Sequence, residues 1–369
     1  MDTRLYVAAG GGADALASVM LHAEIAPGSR AVVATYAWDR LLIDPLPGPR
    51  PASDFTGLEQ LAPPLWRLTE NSAPIPPAGS SLPRMAAELD ADLLLLDPYG
   101  GAVGMGAALH AAVKVYEPTA VTIVDVGGDV MARGNEPQLK SPLADLLAVA
   151  ACTRLDVGVE VAVLGVGLDG ELPAGYTLER IAADSGSKGP RLGPDAVETI
   201  APLLAWHPSE ASGMLAAAAS GVRGTVEVRD AGTHILLGDE AADSWIMAGE
   251  VVAAESELVR RLVKTSSLQE AEEQVRAVAG RSELDYERRK AAELAARRPL
   301  AENSRNGIEE RYRTFLVQAA ERGSDYVTIR RLAEQIGAPR GAEFEAWRKR
   351  LIAAEPHRYA RPLWSVRPA

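Results

Sequence analysis

The chain of 369 residues contains a single cysteine, Cys152, and that scarcity removes two chemistries: an intramolecular disulfide and a zinc site built on clustered thiolates. Following the apolar run 146–151, Cys152 reads as a small buried hydrophobe. Histidine is nearly as sparse. The five, His22, His110, His207, His234 and His357, are scattered, with none at metal-ligand spacing or in a Gly-x-Ser-x-Gly elbow, so a histidine-dependent hydrolase has little support. No apolar run approaches the roughly twenty residues that a membrane span needs, and Met1-Asp2-Thr3-Arg4 leads straight into a strand. A cytoplasmic protein without a membrane partner is the expectation. The dinucleotide fingerprint is lacking too. Gly10-Gly11-Gly12 would need another glycine at Ala15, and no Lys-Ser/Thr ending makes it a phosphate-binding P-loop.

What is present is 47% apolar residues and a formal charge of −12, enough for a large core and a soluble surface. That charge disfavours non-specific binding to nucleic acid or anionic membrane. Short β-branched runs at 5–9, 30–36, 92–96, 120–124 and 159–165 alternate with Ala/Leu-rich amphipathic segments, the pattern of βα units around a parallel sheet. Between the second and third runs lies a proline-dense stretch, 45–83, in which Leu65-Trp66-Arg67-Leu68 suits an extra strand. Helical character dominates after Gly170, and the alternating stretches 225–229 and 233–237 suit a pair of strands, either extending the sheet or forming a flap. From Ser244 the spacing predicts helices, with Trp245 and Met247 as apolar anchors.

The expected fold class is therefore α/β: a Rossmann-like parallel sheet with helices on both faces over 1–298, then a small helical domain over 299–369. Residues 301–369 carry 13 Lys/Arg against 9 Asp/Glu, a local net of +4, and Val327 to Pro339 has the helix, glycine stop and new helix of helix-turn-helix or winged-helix modules. Tyr359 and Trp364 can fold back as an aromatic clasp, or cover a neighbouring copy in a homo-oligomer.

Four strand ends carry candidate chemistry. Gly10, Gly11 and Gly12, followed by Asp14, let backbone amides approach an anion at a helix N-terminus, with Asp14 as ligand contact or helix cap. Asp97 with Gly100 and Gly101 repeats the arrangement after the third run. Most informative is Asp125-Val126-Gly127-Gly128-Asp129. Its two acids can bind a divalent cation, orient a substrate hydroxyl or amine, or act as an acid/base pair, while Glu136 can swing towards the same pocket and Arg133 can clamp a carboxylate or phosphate. Asp169 and Glu171 follow the fifth run in another glycine turn and are ligand contacts or plain turn residues.

Taken together, Gly10-Gly11-Gly12-Ala13-Asp14, the 125–129 stretch with Gly134-Asn135-Glu136, Ser141-Pro142-Leu143-Ala144-Asp145 and Gly165-Val166-Gly167-Leu168-Asp169-Gly170-Glu171 resemble the domain of unknown function 1152 family of actinobacteria and archaea, over roughly residues 5–288. The resemblance implies a Rossmann-like body and no agreed reaction. The Asp-x-Gly-Gly-Asp stretch is also distantly similar to the Asp-Gly-Gly-Asn-Glu stretch of D-glutamate cyclases, although Gly134-Asn135-Glu136 falls later here. Ala, Gly, Arg and Pro richness fits an actinobacterial source and a place in specialised metabolism.

The reading that follows is a small-molecule enzyme, binding an anionic or amino-acid-like metabolite at the strand C-termini and working by hydrolysis, cyclisation or elimination through Asp125, Asp129 and Glu136. Gly10, Gly11, Gly12, Asp14, Asp97, Gly100, Gly101, Gly127, Gly128, Arg133, Asp169 and Glu171 are its substrate contacts. Two rivals stand beside it: a nucleotide-dependent transferase, and a metabolite-sensing regulator that touches DNA through Arg330, Arg331, Arg340, Arg348 and Lys349. Nucleic acid is not the expected partner, since a net of +4 is small.

Overall fold

The computed structural model describes residues 2–11, 13–140, 142–229, 232–296 and 305–367. Its principal strands, in chain order, are β1 (Thr3–Ala8), β2 (Arg30–Tyr36), β3 (Glu59–Ala62), β4 (Leu65–Leu68), β5 (Asp92–Leu96), β6 (Ala120–Val126), β7 (Val159–Leu164), β8 (Ser187–Lys188), β9 (Gly224–Val228), β10 (Thr233–Leu237), β11 (Ser244–Ala248), β12 (Tyr326–Thr328), β13 (Tyr359–Ala360) and β14 (Leu363–Ser365).

Nine of them form one sheet in the order β8-β11-β7-β6-β1-β2-β5-β4-β3. The central five, β7-β6-β1-β2-β5, are parallel, and the edges are antiparallel, so the sheet is mixed where the sequence pattern predicts a parallel one. β4 occupies the proline-dense stretch at the residues expected of it. β11 departs from expectation: the residues read as the start of a helix pair with β7. Spacing of apolar residues over five positions does not separate the two periods, and the open edge of β7 decides.

Successive residues of the parallel strands point to opposite faces. Tyr6, Ala8 and Val33 enter a core with helix α1 (Asp14–Ile25) and helix α2 (Ala211–Ala219), whereas Leu5, Val7 and Val32 enter another with Gly101–Tyr116 and Pro142–Cys152. Helices therefore cover both faces. The chain runs outward from β1 through β2 to β5 on one side and through β6 to β7 on the other, so the direction of winding reverses between β1 and β6. A crevice opens at the carboxyl ends of strands at such a switch point.

The C-terminal segment runs Arg305–Glu321, β12, Ile329–Ile336, Ala342–Ala354, β13 and β14. Gly337, at φ 67°, ends the middle helix as the sequence predicts. Its strands join those of the body in a second sheet, β10-β9-β12-β14-β13, with β9 and β12 parallel. Thus β9 and β10 neither extend the main sheet nor stand alone as a flap. Trp364 is fully buried, with its indole N–H donating to the Tyr312 hydroxyl at 3.1 Å, and Leu42 of the body enters the same apolar cluster. The expected boundary at 298/299 lies outside the described residues.

Candidate functional site

At the switch point the loops after β1, β6 and β7 enclose a cavity of about 120 Å³ lined by Gly10, Asp14, Asp125, Asp129, Asp169 and Glu171. Asp14 opens α1, where its Oδ2 accepts the Gly10 N–H at 2.9 Å. Asp125 ends the alternation of β6, and Gly127 and Gly128, both at φ near +118°, then turn the chain so that Asp129 faces back into the same hollow. A Cβ at Gly127 would run into the Asp169 carboxyl, so the glycine is what allows β6 and β7 to bring their acids together. Asp169 Oδ1 accepts the Glu171 N–H at 3.1 Å, and Glu171 in turn is held by Arg229 at 2.8 Å and the Lys140 N–H at 2.6 Å.

Not every expected contact reaches the cavity. Asp97 caps the turn after β5, accepting the N–H groups of Tyr99 and Ala52 at 2.9 Å each, which ties down the proline-dense stretch. Gly101 packs against the turn at Thr265, and no neighbour lies near Gly100. Glu136 staples its own loop, accepting the N–H groups of Arg133 and Gly134 at 2.7 and 2.9 Å and the Tyr176 hydroxyl at 2.7 Å; the Arg133 side chain is exposed. Burial would raise the Glu136 carboxyl, but these hydrogen bonds outweigh it and hold the group below its usual value. Gly11 sits beside the Trp38 carbonyl, and Gly12 lies outside the described residues.

Several lining groups are absent from the sequence reading as site residues: Asp39, Arg40, Asp145, His207, Arg229 and Glu283; Arg330, read there as a DNA contact, lines the cavity from the C-terminal segment. Asp145 stands in the first turn of Pro142–Cys152, a helix whose every residue is buried. A lone acid in so apolar a helix was the signal available. Its turn is held in place by the Tyr36 hydroxyl donating to the Ala144 carbonyl at 2.9 Å and by Glu283 accepting the Ala144 N–H at 3.2 Å. His207 accepts the Ser209 N–H at Nδ1, 3.2 Å away, which leaves the proton on Nε2, and that buried donor has no partner. Burial, then the charge of Arg348, pushes the imidazole down to about 3, so it is neutral.

Charge is crowded here. Burial, followed by the charges of Asp14 and Asp169, raises Asp125 well above the carboxylate range; burial and Asp169 do the same to Asp129, and burial and Asp125 to Asp145. Burial lifts Asp14 to about 7, Asp169 to about 6 and Glu283 to about 8. Oxygens of Asp125, Asp129 and Asp145 are buried without an N–H or neutral hydroxyl donor. Beyond this acid floor a second hollow of about 400 Å³ shares Arg40, Glu171, Arg229, Glu283 and Arg330 with the first and adds Lys140, Tyr286, Glu287, Arg289, Lys290 and Glu293, so that its bases outnumber its acids by six to four. Acid floor and basic mouth together suit a small ligand with an anionic end.

Among the described residues, no helix is long and apolar enough to cross a membrane. Residues 5–291 match the family described as "Protein of unknown function (DUF1152)", and the chain belongs to that family. No curated protein and no solved structure matches it.

Proposed function

We propose that this member of the DUF1152 family is a small-molecule enzyme, taking an anionic or amino-acid-like metabolite into the cavity at the strand C-termini and hydrolysing, cyclising or eliminating from it by carboxylate chemistry. One observation carries the reading: acids from the ends of β1, β6 and β7 converge on a shared hollow that also holds an unpartnered neutral histidine and opens on an arginine-lined mouth. In it, Arg40, Arg229 and Arg330 give up part of their pairing with Glu287, Glu171 and Glu210 to hold the anionic end of the substrate. The Nε2–H of His207 donates to a carbonyl oxygen that becomes negative in the reaction. Asp129 and Asp169 carry protons to and from the reacting atoms.

The basic mouth, with Lys140, Arg289 and Lys290, gives some support to a second reading, a nucleotide-dependent transferase with phosphates in that hollow. The regulator reading has less. The C-terminal segment runs helix, strand, two helices and two strands, but four of its five expected DNA contacts are engaged within the chain: Arg330 with Glu210 at 3.0 Å, Arg331 with Glu227 at 2.7 Å, Arg348 with the His207 carbonyl at 2.9 Å and Lys349 with Glu345 at 2.7 Å. A cytoplasmic setting and a role in actinobacterial specialised metabolism belong to the same proposal.

The test incubates the protein with a cell extract and follows metabolites by mass spectrometry. The wild type is expected to deplete an anionic metabolite and form its hydrolysed, cyclised or dehydrated counterpart, while Asp129→Asn retains the metabolite through gel filtration without converting it. An extract left unchanged by the wild type, or conversion undiminished in Asp129→Asn, removes the proposed chemistry.

A further inference from the structure

We infer that Asp14, Asp125 and Asp145 form a binding site for one hard divalent cation of the Mg²⁺, Mn²⁺ or Ca²⁺ class. One carboxylate oxygen from each of the three lies within 4.8 Å of the others. Ligands of a single ion at about 2.0–2.6 Å fall within that separation. All three side chains are buried, at 6%, 2% and 3% exposure, and all three line the cavity.

Proximity of acids alone does not make a site, but three further facts point to a ligand here. Asp125 Oδ2 and Asp145 Oδ1 are sealed from solvent and receive no N–H or neutral hydroxyl donor, the two acids meeting carboxyl to carboxyl, and Oδ1 of Asp129, a fourth acid on the same wall, likewise lacks such a donor. Buried acids so placed are costly in the ionised form unless a proton or a cation neutralises them, and a hard cation can take the place of the shared proton. The nearby cations are already paired elsewhere: Arg229 with Glu171 at 2.8 Å, Arg330 with Glu210 at 3.0 Å and Arg40 with Glu287 at 3.6 Å. Among the described residues, no lysine or arginine forms an ion pair with the trio. Finally, Gly10 leaves the trio room. A Cβ at that position would stand 2.7 Å from Asp14 Oδ2 and 3.2 Å from Asp145 Oδ1, so any larger residue would intrude on two of the three ligands.

The donor set is all oxygen, which selects hard cations over zinc or copper. Three carboxylates leave the remaining coordination positions to water or to a ligand oxygen. Because the three aspartates line the same cavity as Arg40, Arg229 and Arg330, a bound cation and the arginines can share one anionic substrate between them.

The site does not depend on which metabolite is turned over, and its test uses Mn²⁺ alone. Chelator-stripped full-length protein is titrated with MnCl₂, and free Mn²⁺ is read by its paramagnetic resonance signal, with Mg²⁺ and Ca²⁺ as competitors. One Mn²⁺ per chain is expected, displaceable by at least one competitor. Asp125→Asn and Asp145→Asn each weaken binding at least tenfold, and Gly10→Ala weakens it similarly while leaving every charge in place. Circular dichroism melts of the stripped variants show that they fold. For the two Asn variants, which relieve repulsion, the melting temperature is expected to match or exceed that of the wild type. Stripped wild type that takes up no Mn²⁺ overturns the site and leaves the metabolite proposal standing. Stoichiometric binding unchanged in folded Asp125→Asn and Asp145→Asn overturns it as well, by placing the ion elsewhere.

Discussion

Gly127 shows what a single missing side chain does for this site. Its φ of +117° belongs to glycine, and the space a methyl would occupy is filled by the Asp169 carboxyl. Gly127→Ala is therefore strained twice over, and we expect a loss of about 1–3 kcal/mol of stability, read as a lower melting temperature, together with displacement of Asp169 from Asp129. A variant that melts with the wild type would mean that the turn relaxes without cost. Asp125, Asp129 and Asp169 were legible in the sequence because each sits within two residues of a glycine at the end of an apolar run. His207, Glu283 and Arg330 were not. They reach the cavity from distant parts of the chain, and no local spacing relates a histidine before Pro208 to an aspartate on β6. Asp97, Arg133 and Glu136 carry the same local signal as the true lining residues, yet serve their own loops, because a strand end at the right edge of a sheet can still turn away from the crevice.

Elements, rather than residues, decide how the C-terminal segment is attached. Glu227 on β9 is fully buried and receives Arg331 at 2.7 Å, Arg322 at 2.9 Å and the Ser324 hydroxyl at 3.1 Å. Arg322 and Ser324 stay on the carboxylate when Arg331 is removed, so Arg331→Ala costs a charge-assisted hydrogen-bond pair rather than stranding a charge, and a loss of about 1.5–3 kcal/mol is expected in denaturant titration. Burial would raise the Glu227 pKa, but the arginine hydrogen bonds outweigh it and hold it below the usual 4.5. A carboxyl depressed in the fold contributes stability that is complete above its unfolded value and lost as pH falls through the folded one. Stability should thus fall off below about pH 4.5 in the wild type and fall less steeply in Glu227→Gln, which begins from a lower plateau because two arginines lose their counter-charge. Equal acid slopes for the two proteins would show that other carboxyls set the acid limit. The five parallel strands and β4 were legible to within a residue or two, since each is a short apolar run between turns, whereas the short edge strands β3 and β8 carry no such run and were missed. β11 and the partners of β9 were not legible either: an edge strand is specified by what it lies beside, and that neighbour comes from another part of the chain.

At the scale of the whole molecule, body and C-terminal segment share a sheet, an apolar cluster and the wall of one cavity. Ending the chain at 298 would bare the edge of β9, uncover Leu42 and remove Arg330 from the mouth. Exposed edges of this kind pair with other chains. The shortened protein is expected to elute from gel filtration as aggregate, and a monodisperse monomer with the wild-type melting temperature would show that the body stands alone.

The pairing of β9 with β12 joins Thr225 to Asp325, a hundred positions apart. During translation the body leaves the ribosome before β12 and Arg330 are made, and until then one rim of its hollow is unbuilt. Trp364 and Val366 lie in the apolar cluster that fixes this segment, so a nascent chain has no settled wall around Arg330 until they too have been made, even with every aspartate already in place.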